Sequence, residues 1–378
     1  MTAIGAGACD ACLARSALLA RLAGPLDRAG PQLATLLGAP DAELIAAVTG
    51  GAAVTVRREH AGFDADAARA AAAAAGVITV CRCTPAYPAA LRELTAPPAV
   101  LHLAGAPEAL APASPGASVA VVGARDASPY GLDVARALGR GVAEAGLVVI
   151  SGMARGVDAA AHAGALEAGG LTVAVLAAGA ERPYPASARA LYRRIVATGA
   201  VVSELPPGTP ARRWTFPARN RLIAALAALT VVVEGRPASG ALLTAAAAVE
   251  LGRPLGAVPG HVTSPLAAGP HALLAAGARV ITGTRDVLAL LAETGLTADV
   301  ASEVTGRDPG VSRAGPEPAR LDPPRRALYD ALAEGQPSAV ALQRAGLDAE
   351  RGLAALAALE LDGLIRREPG GAWAVRAR

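Results

Sequence analysis

Between residues 118 and 295, short apolar runs alternate with Ala-rich stretches of helical length. The runs are Val119–Val122, Leu147–Ile150, Thr172–Leu176, Ala200–Ser203, Thr230–Val233, Leu255–Val258 and Arg279–Thr282. Strands apolar along their whole length are buried on both faces, and long helical connections are what parallel strands require. The pattern predicts an α/β fold with a doubly wound, mostly parallel, extended Rossmann-like sheet. Right-handed crossovers then bring the loops that follow each strand to one edge, where sheets of this kind bind ligands.

The chain has 378 residues, more than one core usually holds. From Leu18 to Val48, Leu and Ile recur at helical spacing, with Asp41 as a candidate N-cap and Glu43 in the first turn. A further helix ends at Gly76, followed by the β-branched run Val77–Val80 and a Pro-rich passage ending at Gly105. These features predict a small N-terminal helical domain over 1–110, joined by the linker prolines 107, 112 and 115 to the sheet domain at 118–297. Residues 298–324 lose periodicity and collect Pro and Gly, as a second linker would. In 325–378, helix signals at Arg326–Glu334, Ser338–Ala345 and Asp348–Asp362 precede two strand-like runs around a turn at Pro369–Gly371. That succession predicts a winged helix, with Leu353, Leu356, Leu359 and Leu361 in its core. DNA contact and protein docking are both open for this domain.

The longest apolar run, Leu222–Val233, has 12 residues and falls short of the ~20 needed to cross a bilayer. No signal-peptide pattern precedes the first helix, so a cytoplasmic protein without membrane partners is expected. The net charge of +3 decides little, but every cation in the chain is Arg, a planar and permanently charged fork.

The strand ends carry the chemistry. After the first run of the sheet come Gly123 and Arg125, then Ser128-Pro129 as a helix start. The second leads into Ser151-Gly152 and Arg155-Gly156, a glycine-bracketed loop before a helix whose N–H groups suit phosphate. The third ends near Arg182 and Tyr184. After the fourth, Arg212, Arg213, Arg219 and Arg221 surround Trp214, Phe216 and Asn220 within ten residues that contain no acid. Arg interleaved with aromatics is the composition of a single-strand groove. The fifth is followed by Ser239-Gly240 and Thr244, a further anion pocket. Several separated cations along one edge suit an extended polyanion better than a single phosphate.

Other chemistries fit less well. The first loop is not GxGxxG, and no acid closes the second strand to hold a ribose, which disfavours a dinucleotide. A Ser151/His162/Asp158 hydrolase lacks the GxSxG elbow, and Asp158 and His162, four apart, read better as a local bond that pins a loop. No pair of catalytic carboxylates, Walker Lys or metal triad stands at this edge, so no enzyme activity is expected.

The ordered segments VAVVGARDASPYG, SGMARGVDAAAH, the YP at 184, FPARNRLIAALA, SGALLTA and AVPG together resemble the DNA-processing protein A family (DprA/Smf). The likeness runs over nearly the whole chain. It implies an N-terminal helix-hairpin-helix or SAM-like domain, a Rossmann-like domain that binds single-stranded DNA, and a winged helix. It further implies a homodimer that protects incoming transforming DNA and loads the RecA recombinase on it. By the same resemblance Arg125 matches the motif arginine after the first strand, Arg155 the SGxARGxD motif, and Arg219, Asn220 and Arg221 the RNR motif. The rival of another class is an enzyme resembling phosphoribohydrolases of nucleoside monophosphates, whose PGGxGTxxE signature needs an acid where this chain has alanines at 245 to 248.

Two close pairs, Cys9/Cys12 and Cys81/Cys83, stand outside these motifs. Four thiolates could hold a structural zinc, with free thiols the near-equal alternative; a disulfide is the least favoured reading in a chain whose cysteine usage agrees with a reducing compartment. No other cofactor is expected.

Overall fold

The computed structural model describes residues 7–110, 117–294, 321–361, 364–367 and 373–375. They belong to two compact units, Met1–Gly306 and Arg307–Arg378.

The first unit is built on nine strands: β1 (Ile78–Cys81), β2 (Val100–Gly105), β3 (Ser118–Val122), β4 (Val148–Ser151), β5 (Thr172–Val175), β6 (Ala200–Ser203), β7 (Leu229–Val232), β8 (Leu255–Ala257) and β9 (Arg279–Val280). Their order in the sheet is β1-β2-β6-β5-β4-β3-β7-β8-β9. From β6 to β9 every neighbouring pair is parallel, while β2 runs antiparallel to β6 and β1 antiparallel to β2. The seven strands expected from the apolar runs all form.

The period of two explains the layers. Along β3, Val119 and Val121 point into one core with Ala135, Leu138 and Val142 of the helix Pro129–Glu144. Ala120 and Val122 point into the other, with Leu222, Ile223 and Leu226 of the helix Thr215–Leu226. A strand that feeds two helical layers has no solvated face, so its sequence is apolar throughout. On the first face the helices Pro129–Glu144 and Val157–Glu167 approach closely, and a Cβ on Gly139 would lie 2.1 Å from the Ala161 carbonyl oxygen.

The stretch 1–110, read as a helical domain, divides between two structures. Its helices include Asp10–Arg21, Ala23–Leu26, Asp41–Thr49, Ala53–Ala61 and Ala65–Ala74, and Leu18, Leu22, Leu26, Leu44 and Ile45 of this stretch share a core with Leu205 and Trp214. Residues 78–105 instead supply β1 and β2, which extend the large sheet. The sequence shows β1 as a β-branched run but hides β2 behind Pro97-Pro98. Asp41 is the first residue of its helix and Pro40 the cap; its carboxylate holds Arg15 at 2.6 Å and His60 at 2.8 Å.

The second unit has three helices, Pro323–Ala333, Ser338–Arg344 and Ala349–Leu361, and an antiparallel pair, β10 (Ile365–Arg367) with β11 (Trp373–Val375). This is the expected winged helix. Leu328, Leu332, Leu356 and Leu359 form its core, whereas Leu353 is 65% exposed, contrary to expectation. Of the expected linker 298–324, residues 298–320 lie outside the described residues, as does the turn at 369–371, while Pro323-Pro324 open the first helix behind the Asp322 cap instead of belonging to a linker. Among the described residues no helix is long and apolar enough to cross a membrane.

Candidate functional site

β3 has β4 on one side and β7 on the other, so the chain leaves its carboxyl end one way and returns the other. The loops after β3 and β7 therefore diverge and open a crevice at the sheet edge. Two adjoining cavities of about 250 and 240 Å³ lie here, sharing Arg125, Ala154, Phe216 and Arg219 in their walls. One continues to Tyr184 and Arg155, the other to Gly123, Ser239, Gly240 and Thr244.

Three helix N-termini meet this edge, in different states. That of Pro129–Glu144 is closed by the protein itself: Ser128 caps it, accepting from the Gly131 N–H at 3.1 Å. Glu234, from the end of β7, accepts from the Ser128 N–H and hydroxyl at 2.8 and 2.6 Å. This carboxylate takes the place an anion would occupy at a helix start. No local motif announces Glu234, because its partner is 106 residues away.

The N-terminus of Val157–Glu167 is shaped by Asp158. Its buried carboxylate accepts from the N–H groups of Gly152 and Ala154 at 3.1 and 3.4 Å, drawing the loop after β4 inward. Burial raises its pKa, against the lowering effect of nearby Arg219 and these N–H bonds. Gly156 has φ 89°, and a Cβ there would lie 2.2 Å from the Ala124 carbonyl oxygen, so glycine is required. Among the described non-glycine residues, Met153 and Ala238 have positive φ, and they lie in the loops after β4 and β7.

The N-terminus of Gly240–Glu250 is the open one. Its N-cap is Ser239, yet the side chain makes no cap bond, and its buried hydroxyl has no partner within the protein. Thr244 donates back to the Gly240 carbonyl at 3.5 Å. This helix start, with its cap hydroxyl unpartnered, lines the same cavity as Arg125.

The arginines separate into two classes. Arg125 is exposed, and its guanidinium lies over the Phe216 ring, 4.9 Å from the centroid. Phe216 in turn meets Tyr184 at 5.6 Å between centroids, tilted by 58°. Arg155 is exposed and pairs with the equally exposed Asp126. Arg182 is exposed, with Nη1 donating to the Gly208 carbonyl at 3.2 Å. Arg212 is half exposed with Asp27 at 3.5 Å, and Arg213 is exposed.

The RNR residues are more buried than these, although Arg219 walls both cavities and Asn220 one of them. Arg219 is 6% exposed, donates to the Val175 carbonyl at 2.6 Å, and packs so closely on Gly152 that a Cβ there would lie 1.8 Å from its Nη1. Burial brings its pKa down to about 10, with Asp158 opposing and Arg125 reinforcing the shift. Asn220 donates to the Gly240 carbonyl at 2.9 Å, holding the open helix start. Arg221 binds the buried Glu204 and the Ala96 carbonyl, the latter at 2.7 Å. The 212–221 stretch has no acid of its own, but Asp27 and Glu204 reach it from elsewhere in the chain, which a local reading misses. Trp214, expected as a stacking surface, is 4% exposed in the core under the N-terminal helices.

The imagined hydrolase triad does not assemble. The Ser151 hydroxyl donates to the Val121 carbonyl at 2.6 Å, and Asp158 faces the loop N–H groups. His162 bonds Thr172 at 2.6 Å, and burial takes its pKa down to about 3. Asp158 does pin a loop, but through backbone groups rather than through His162.

Comparison with known proteins matches this arrangement. Residues 78–292 match the family model for DNA recombination-mediator protein A, and residues 312–371 the model for the DprA winged helix domain. A putative DNA processing protein DprA of Mycobacterium tuberculosis is 43% identical over 256 residues, 67% of this chain and 63% of its own length. The chain thus spans somewhat under two thirds of that relative. The DNA processing protein DprA of Bacillus subtilis is 36% identical over 218 residues, 58% of this chain and 72% of the relative. The structure of DNA processing protein A from Streptococcus pneumoniae superposes with a TM-score of 0.60 at 31% identity, covering 74% of this chain and 95% of that one. That of the Helicobacter pylori protein, described for its single-stranded DNA binding mode, gives 0.50 at 27% identity, covering 55% and 93%. A matched sheet domain, a matched winged helix and relatives at this identity lead to one conclusion: the chain belongs to the DNA recombination-mediator protein A family.

Proposed function

We propose that this protein binds single-stranded DNA along the crevice at the β3/β7 edge and acts as a recombination mediator. In this reading it protects incoming, transforming DNA and loads RecA recombinase onto it, as a homodimer in the cytoplasm. The observation that carries the reading is the Arg125–Phe216–Tyr184 stack beside the open start of the Gly240–Glu250 helix. A cation on an aromatic platform offers a phosphate partner and a surface for a base, and the helix start, in a cavity that Arg125 also lines, offers a second phosphate site. The single-stranded DNA binding described for the Helicobacter pylori relative supports it. Arg155, Arg182, Arg212 and Arg213 extend the positive rim. Arg219, Asn220 and Arg221 act from behind it by holding the loops.

The reading is one of binding without catalysis. Asp158, which lines one of the cavities, is committed to backbone N–H groups, and Glu234 is committed to the N-cap Ser128. Three residues after Thr244, where the PGGxGTxxE signature places its acid, this chain has Ala247. Two assays test the proposal: nuclease protection of an oligonucleotide against its duplex, and RecA filament assembly on single strands with and without the protein. Selective protection and faster assembly are expected. Equal protection of duplex, no effect on RecA, or release of base from nucleoside monophosphates would overturn it.

A further inference from the structure

The four cysteines lie away from the crevice, and the fold brings them together. Their Sγ atoms all lie within 4.8 Å of one another, although the two pairs are some 70 residues apart in the chain. We propose that Cys9, Cys12, Cys81 and Cys83 hold one structural zinc ion as four thiolates, fastening the start of the Asp10–Arg21 helix to the end of β1.

The geometry fits the ion. Zinc binds thiolate sulfur at about 2.3 Å in a tetrahedron, which sets neighbouring sulfurs a little under 4 Å apart. Cys12 and Cys83 already stand at 3.7 Å. A disulfide joins sulfurs at about 2.05 Å and needs only two of them, so it gives no reason for four to converge on one point. An all-sulfur, four-ligand set selects zinc over oxygen-seeking cations such as magnesium and calcium.

Both pairs are presented by ordered turns. Cys9 is the N-cap of its helix, and its carbonyl accepts from the Leu13 N–H at 3.0 Å, which puts Cys9 and Cys12 on the first turn. Cys81 ends β1, and a tight turn follows, closed by the Thr84 N–H and hydroxyl on the Cys81 carbonyl at 3.0 and 2.9 Å. Arg92 braces that turn from outside through the carbonyls of Arg82 and Thr84. The Cys9 N–H points at the Cys81 sulfur at 3.5 Å, the outer-shell bond that a metal-bound thiolate accepts.

Buried Ala8, Leu13, Ala99 and Val100 wall the cluster, and exposed Cys83 leaves one side open for the ion to reach it. Binding releases the four thiol protons to solvent and leaves the centre with two net negative charges, which the helix start favours. The clip would tie the N-terminal helices to the outer edge of the sheet, where β1 has β2 as its neighbour in the strand order.

The test begins with untagged, full-length protein and metal analysis by mass spectrometry. We expect one zinc per chain, thiols that react with a mercurial in step with zinc release, and intense visible absorption of tetrahedral cobalt after exchange. Cys83→Ser, at an exposed position, should lose the zinc and lower Tm while leaving far-UV circular dichroism unchanged. Four reactive thiols with substoichiometric zinc, mapped disulfides, or stoichiometric iron would each overturn the proposal. None of these readouts depends on DNA binding.

Discussion

The guanidinium of Arg125 lies 4.9 Å from the centre of the Phe216 ring. The two residues come from the loop after β3 and from the helix that precedes β7, so the stack bridges the point where the sheet's connections diverge. Phe216→Ala removes the platform but no charge. It should weaken oligo(dT) binding by about 1–3 kcal/mol for the base that stacks there, with the salt slope unchanged. Titrations at several salt concentrations check this; parallel loss of slope would mean that the ring serves only to position the cation.

Arg219 and Arg221 should behave differently from Arg125, because they are internal. Arg221→Ala leaves the buried Glu204 carboxylate without its cation and is expected to cost roughly 3–5 kcal/mol of stability. Arg219→Ala loses the bond to the Val175 carbonyl and should cost about 1–3 kcal/mol. Arg125→Ala, at an exposed site, should stay within about 0.5 kcal/mol of wild type. Urea unfolding of the three variants separates these outcomes, and an unaffected Arg221→Ala would refute the structural assignment.

Gly152 and Arg219 are coupled by contact. A methyl group at 152 would stand 1.8 Å from the Arg219 Nη1, so Gly152→Ala must drive the guanidinium off the Val175 carbonyl. Overpacking of this kind costs about 1–3 kcal/mol. In an Arg219→Ala background the same substitution should cost at least about 1 kcal/mol less. Additive effects in this double-mutant cycle would contradict the packing described.

The buried histidines set the acid side of stability. Burial depresses the pKa of His102 and of His162 to about 3, whereas an unfolded histidine titrates near 6.5. The unfolded chain therefore binds more protons between these values, and stability is full above pH ~6.5 and falls as pH drops toward 3. Each histidine contributes a slope of up to about 1.4 kcal/mol per pH unit in that window. Asp158, with a raised pKa, works in the opposite sense and recovers part of the loss as it protonates. Urea midpoints across this range should fall with acid, and His162→Gln should flatten the curve; a flat wild-type curve would rule out two buried neutral imidazoles.

The sheet was legible because strands covered on both faces must be apolar throughout, as Val119–Val122 shows. β2 was not: its apolar run is interrupted by His102, and Pro97-Pro98 and a short flanking segment gave no rhythm to set it in. At the site, the order of glycines and arginines after the strands identified the edge, and Arg125, Gly123, Ser239 and Gly240 do line its cavities. What the sequence could not show was which arginines are already neutralised. Asp27 pairs with Arg212 from far along the chain, Glu204 reaches Arg221 from the end of the preceding strand, and Glu234 fills one helix start while leaving another open. Such pairings depend on tertiary contacts rather than on spacing.

The most direct test of the central claim is the salt dependence of oligo(dT) binding, followed by fluorescence anisotropy, for wild type and Arg125→Ala with a matched duplex beside them. The wild type should bind the single strand tightly and in preference to the duplex. Arg125→Ala should bind more weakly, with a log–log salt slope shallower by about 0.7, one phosphate contact on a single strand. Binding of equal strength to both DNAs, or an Arg125→Ala slope identical to wild type, would contradict it.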